Sequence, residues 1–215
     1  MLYPVKKVTW FYYANKRLFD LFCSILGLVL IAWFLLILAV LVKISSKGPV
    51  LFKDHRIGKN GKEIKVYKFR SMYIDAETNI DKYLTPEQKE TWIRERKLDN
   101  DPRITKIGRF MRKTSLDELP QILNVIGGSL SLVGPRPITE REIEEHFTKE
   151  QADIMLSAKP GITGYWQVYG RSDADFASGE RQKLTLEYFE KRSLWLDIKI
   201  LFLTIPAVLK HKGAH

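Results

Sequence analysis

Two adjacent carboxylates, Asp117 and Glu118, stand among cations: Arg109, Arg112 and Lys113 lie just upstream, and Arg136 follows between Pro135 and Pro137. Arginine forks bind phosphoryl oxygens bidentately, while paired carboxylates hold a divalent ion or attack phosphorus. These residue types together suit work on a phosphate substrate. A carboxylate beside cations at a helix N-terminus also stays ionised, as a nucleophile must. The same letters have a plain structural reading. Ser115-Leu116-Asp117-Glu118 fits a capping box, with serine at the cap and glutamate three residues on, and acidic residues suit the positive end of a helix dipole. The company of arginines, rather than the pair itself, favours the phosphate site.

The elements around the pair must position it. Pro120 removes a backbone donor and is expected to kink a helix just behind the carboxylates. Gly127-Gly128 and Gly134-Pro135-Arg136-Pro137 fold the chain back, and the two prolines either aim the Arg136 guanidinium or make a rigid turn. Lys159-Pro160-Gly161-Ile162-Thr163-Gly164 is a turn whose glycines either expose backbone N–H groups to phosphate or serve the turn alone. Tyr165 and Trp166 suit nucleobase stacking or packing in a core or membrane interface.

Upstream, Gly58-Lys59-Asn60-Gly61 predicts a hairpin turn between a β-rich run at 50–52 and a strand over 64–69, with Ile64, Val66 and Lys68 on one face. Thr85-Pro86-Glu87-Gln88 opens a charged surface helix running to about residue 98. Two more helices are expected over 179–191 and 194–211, the second either a core helix kinked at Pro206 or one lying on a membrane surface.

The net charge of +10 over 215 residues is unevenly placed. Residues 1–75 hold 13 Lys and Arg against 4 Asp and Glu, whereas the rest of the chain is nearly neutral. The basic excess collars an uncharged apolar run over 21–42, which as a helix is roughly 33 Å long and matches a bilayer core. A nucleic-acid module has no use for that run, so no nucleic-acid partner is expected. Lys16 and Arg17 precede it, and Lys43, Lys47, Lys53 and Arg56 follow. Positive charge at both ends favours a helix that enters and leaves from the cytoplasmic side. One cysteine, Cys23, excludes an intramolecular disulfide and a cysteine metal cluster, and the four histidines lack ligand spacing. The expected fold is α+β, mostly helical. A membrane-inserted, re-entrant helix (1–45) precedes a compact cytosolic catalytic domain (46–215) with a short β-hairpin and amphipathic interfacial helices.

Several blocks in this order resemble the bacterial sugar transferase family, the monotopic phosphoglycosyl transferases. They are Lys16-Arg17-Leu18-Phe19-Asp20, Ser46-Lys47-Gly48-Pro49-Val50, Tyr67-Lys68-Phe69-Arg70-Ser71-Met72 and Thr114-Ser115-Leu116-Asp117-Glu118-Leu119-Pro120-Gln121. Ser131-Leu132-Val133-Gly134-Pro135-Arg136-Pro137, the 159–164 turn and Leu196-Asp197-Ile198-Lys199 complete the set. The resemblance covers nearly the whole chain and is to the minimal catalytic form. It implies transfer of a sugar-1-phosphate from a UDP-sugar to undecaprenyl phosphate, with release of UMP, as the first membrane step of glycan assembly. It further implies that Asp117 forms a covalent phosphosugar intermediate and that Mg²⁺ binds at Asp117 and Glu118. Carried over by motif, Lys68, Arg70, Arg112, Arg136, Arg171 and Asp197 are substrate-binding candidates. The implied location is the bacterial inner membrane, in contact with its lipid, with the active site on the cytoplasmic face. Family members carry Ser-Pro in the middle of the apolar helix, where this chain has Ala32 and Trp33, so a proline break is lacking. A non-catalytic membrane-tethered scaffold is the alternative, in which the acidic pair is only a helix cap.

Overall fold

A 36-residue helix, α1 (Trp10–Ser45), forms the backbone of the molecule, and the rest of the chain is laid along one side of it. The structure is a computed structural model and describes residues 3–95, 98–170 and 176–209. Thr9 caps α1, and the helix passes through Ala32 and Trp33 without interruption. It is the one described helix long and apolar enough to cross a membrane.

Strands β1 (Leu51–Ile57) and β2 (Glu63–Phe69) pair antiparallel across the 58–61 turn, as its sequence predicts. Short helices α2 (Ile80–Tyr83) and α3 (Pro86–Glu95) follow, the latter opened by the reciprocal Thr85–Gln88 capping bonds expected of it. Helix α4 (Lys106–Thr114) leads into a 3₁₀ turn at Leu116–Glu118 and then α5 (Gln121–Gly127). Strand β3 (Ser131–Val133) pairs parallel with β4 (Gly161–Thr163) across helices α6 (Glu140–His146) and α7 (Lys149–Leu156). Helices α8 (Tyr165–Tyr169), α9 (Glu180–Lys191) and α10 (Leu194–Leu209) complete the mostly helical fold.

Three apolar clusters hold these elements together. Leu38 and Val42 of α1 are buried against Phe69 and Met111, each worth roughly 1.5–3 kcal/mol of hydrophobic stabilisation. Val66, Val125 and Leu130 join β2 to α5 and β3, while Phe189 and Ile200 pack α9 and α10 on Val133. Polar ties do the rest. Asn124 donates to the Lys65 carbonyl (2.7 Å) and accepts from the Tyr67 N–H (2.8 Å), fastening α5 to β2. Asp20 accepts from the Ser131 hydroxyl (2.7 Å) and the Leu132 N–H (3.2 Å), fastening α1 to β3.

The side of α1 turned away from the domain is bare. Leu18, Phe22, Ile25, Val29, Trp33, Leu36, Val40 and Ile44 are all exposed and recur at helical spacing. Helix α10 has a divided character that the sequence left open: Asp197 and Ile200 are buried, while Trp195, Phe202 and Ile205 are exposed.

Candidate active site

The acidic pair does not sit on a helix start. Ser115 takes a left-handed conformation (φ 56°) and its N–H caps the end of α4 on the Arg112 carbonyl, so no capping box forms with Glu118. Pro120 likewise does not kink a helix; it stands at the N-terminal boundary of α5, where its missing N–H costs nothing. Between these two stops the chain has room only for the 3₁₀ turn. Leu116 and Leu119 anchor that turn in the apolar cluster of Leu38 and Met111, which aims the intervening carboxylates the other way.

Asp117 is buried, and among the described residues no other side chain hydrogen-bonds its carboxylate. Burial pushes its pKa up, the neighbouring charge of Glu118 pushes it further, and Lys68 and Arg112 oppose the rise. The sequence reading had the cations and a helix N-terminus keeping Asp117 ionised. Burial raises its pKa above the ordinary carboxylate value in spite of them, and the pair lies on a 3₁₀ turn rather than at the start of an α-helix.

Lys68 is the hub of the charged face beside the pair. Its Nζ lies 3.4 Å from Glu118 and 3.3 Å from Asp54. The register Phe52↔Lys68, Asp54↔Val66 and Arg56↔Ile64 puts these residues on one side of the hairpin. Arg56 bonds both Asp54 (2.9 Å) and Glu142 (3.2 Å). Burial works against the charge of Asp54, yet Arg56 and Lys68 hold its carboxyl below the usual range. Asp54, Arg56, Lys68, Glu118, Gln121 and Arg136 line one narrow cleft, closed on its apolar side by Val66, Pro137 and Ile162. Arg112 is steered by its bond to the Ser71 hydroxyl (2.8 Å). That bond is possible because Gly108 lets α4 lie directly on the Ser71 carbonyl, where a Cβ would sit 1.9 Å from the oxygen.

The structure therefore brings Asp117, Glu118, Lys68, Arg112 and Arg136 to one place, and takes two other candidates elsewhere. Arg70 is buried at the C-terminal end of α1, donating to the carbonyls of Val42, Ser46 and Lys47. This corrects its assignment to substrate: its guanidinium complements the negative end of the α1 dipole. Asp197 is wholly buried and bonds Lys16 (2.7 Å), Tyr188 (2.9 Å) and Tyr12 (3.5 Å), so it clamps α10 to α1 rather than facing the cleft. Arg171 lies outside the described residues.

In the 159–164 turn the N–H of Gly161 is committed to backbone, and Gly164 lies close against the Gly134 carbonyl. The Gly161 N–H donates to the Pro135 carbonyl (2.8 Å), and a Cβ on Gly161 would meet the Gly134 nitrogen at 2.1 Å. Trp166 is occupied as well, its face covered by Arg181 at 4.2 Å, with Phe176 on the same guanidinium at 4.1 Å. Burial, and then the nearby charge of Arg136, push the pKa of Arg181 down to about 10, so a further cation stands on the Arg136 side of the site.

Asp54, Arg56, Gln121 and Arg181 escaped the sequence reading. The first two were within reach: the 58–61 turn fixes the hairpin register, and period-two alternation back from it places 54 and 56 on the same face as 66 and 68. Gln121 and Arg181 carry no comparable local signal.

The donor set suits a hard cation held through one or two carboxylates and substrate phosphate oxygens, the usual manner of magnesium. Among the described residues no cluster of three His, Cys, Asp or Glu forms an all-protein cage.

Comparison with known proteins gives this arrangement a family. The undecaprenyl-phosphate galactose phosphotransferase of Salmonella typhimurium is 44% identical over 202 residues, which is 93% of this chain and 41% of that protein. The exopolysaccharide production protein ExoY of Rhizobium meliloti is 41% identical over 202 residues, covering 93% of this chain and 88% of the relative. The UDP-glucose:undecaprenyl-phosphate glucose-1-phosphate transferase of Escherichia coli is 41% identical over 204 residues, again 93% of this chain and 41% of that protein. The chain thus spans about two fifths of the Salmonella and Escherichia relatives and most of the Rhizobium one. With residues 11–211 matched by the model of the bacterial sugar transferases, the chain belongs to that family.

Proposed function

We propose that the chain is a phosphoglycosyl transferase that moves a sugar-1-phosphate from a UDP-sugar to undecaprenyl phosphate and releases UMP. The observation that carries this reading is the buried Asp117 carboxylate, without a hydrogen-bonded partner side chain among the described residues and bordered by Glu118, Lys68 and Arg112. A carboxylate so placed is a nucleophile in wait rather than half of an ion pair. The names of the relatives, which include galactose and glucose phosphotransferases acting on undecaprenyl phosphate, support the same chemistry.

In the first step a carboxylate oxygen of Asp117 bonds the β-phosphorus of the donor, and the bridging P–O bond breaks to release UMP. In the second, a phosphate oxygen of the lipid bonds that phosphorus, the Asp117–phosphorus bond breaks, and the carboxylate is regenerated. Lys68, Arg112 and Arg136 balance phosphate charge through both displacements. Asp117 and Glu118 would hold Mg²⁺ with the phosphates, and the ion would supply further charge neutralisation.

The membrane arrangement belongs to the same proposal. Lys16 and Arg17 tie one end of α1 to α10 and α5, while Leu38 and Val42 tie the other to β2 and α4. With both ends held by one domain and the opposite face bare and apolar, α1 enters a single leaflet from the cytoplasmic side of the inner membrane without crossing.

The test is UMP release by detergent-solubilised protein with Mg²⁺ and a panel of UDP-sugars, with and without polyprenyl phosphate. Multiple turnovers that require the lipid and vanish in Asp117→Asn are expected. Undiminished turnover in Asp117→Asn would overturn the covalent mechanism.

A further inference from the structure

A second cavity adjoins the charged cleft. It is an open groove of about 360 Å³ between α10 and the β3–β4 pair, and its apolar walls are Leu132, Ile162, Leu201, Ile205 and Val208. Its two hydroxyls, on Thr163 and Thr204, lie 2.8 Å apart and bond each other, and Thr204 also donates to the Ile200 carbonyl. Both hydroxyl hydrogens are thus committed, and among the described residues the groove offers a sugar or a nucleotide no free hydroxyl donor. Ile162 lines both cavities, so the groove shares a wall with the cleft of Lys68 and Arg136. Along the other side, Ile205 and Val208 continue into the exposed apolar face of α10 that includes Phe202.

A charged cleft, an apolar groove sharing its wall, and an open apolar surface beyond describe a ligand with a phosphate head and one long hydrocarbon chain. The donor, polar throughout, has no part to leave in the groove. Resting on the transferase reading, we infer that the groove holds the head-proximal isoprene units of the polyprenyl phosphate acceptor. The chain then runs over α10 toward the bilayer. Lining the groove with this one chain also removes apolar surface from water that would otherwise stay exposed.

The first test uses the wild-type protein and an undecaprenyl phosphate carrying a diazirine in its head-proximal isoprene unit. Photolabelling followed by peptide mapping should mark residues 161–163 and 201–208; label confined to α1 or absent from both segments overturns the assignment. The second uses Val208→Trp, a rim substitution that fills the groove from its open side. KM for undecaprenyl phosphate should rise about tenfold. UMP release from donor alone in a single turnover should keep its rate, and an unchanged KM would count against the groove. If wild-type protein releases no UMP from any donor, the transferase reading fails, and the labelling pattern still decides what the groove holds.

Discussion

Asp117 and Asp197 are both buried aspartates whose pKa burial pushes up, and their surroundings are opposite. Asp197 has its charge answered on every side: Lys16 at 2.7 Å, Tyr188 at 2.9 Å and Tyr12 at 3.5 Å. Asp117 has cations near enough to oppose its rise but none bonded to it among the described residues. A buried carboxylate with its partners in place stiffens a fold, whereas one left short of partners keeps its lone pairs for a ligand. Burial and a raised pKa are common to both aspartates; what differs between them is hydrogen-bond satisfaction.

The sharpest way to break this contrast is to neutralise each aspartate in turn. Asp117→Asn should lower lipid-dependent UMP formation by roughly 10⁴-fold, the scale on which removing a member of a catalytic unit acts. Its thermal midpoint should stay level or rise at neutral pH. A folded pKa above the unfolded one means that ionisation works against the fold, so stability falls as pH climbs past the unfolded value and an amide removes that loss. A variant that keeps its activity, or that unfolds, would erase the distinction.

Asp197→Ala should do the reverse. Removing it leaves Lys16 and two tyrosines without their acceptor at the α1–α10 junction, at a cost of about 3 kcal/mol. Thermal or denaturant unfolding would read this, and the folded fraction should still release UMP. Arg70→Met tests a third buried charge of the clamp kind. Losing bonds to three carbonyls at the end of α1 should cost about 2 kcal/mol, with the KM for donor unaltered. A raised donor KM at full stability would return Arg70 to the substrate.

What the sequence revealed follows the range of the interactions involved. The 58–61 hairpin, the Thr85–Gln88 cap and the helices near 180–191 and 194–209 are written in local turn chemistry and periodicity, and they form where expected. The gathering of Asp117, Glu118, Lys68, Arg112 and Arg136 was legible because cations flank the pair and motif blocks accompany it. Ser115 had two open readings because the same letters serve two purposes, and the capping box does not form: its N–H finds the carbonyl of Arg112 behind it, and Pro120 ahead delays the next helix. Gly161 and Gly164 were ambiguous because their role depends on two strands meeting from about 30 residues apart. Arg70 and Asp197 lie in recognisable motifs, but no local pattern says whether a charge will meet a ligand or a helix end.

The smallest effect expected is also the most specific to Asp117. Attack on phosphorus needs the carboxylate, so turnover should fall as pH drops through the raised pKa of Asp117. Glu118 raises that pKa by like charge, so Glu118→Gln should let Asp117 ionise more readily and move the acid limb to lower pH. Arg112 lowers it, so Arg112→Met should move the limb to higher pH. Both substitutions will reduce the plateau rate as well, since both residues border the reacting phosphate, but the positions of the limbs are independent of their heights. Measuring kcat/KM against pH for the two variants and wild type separates the contributions. Limbs displaced in the same direction would mean that the titrating group is not a carboxylate poised between Glu118 and the cations, and the nucleophile would have to be sought elsewhere in the cleft.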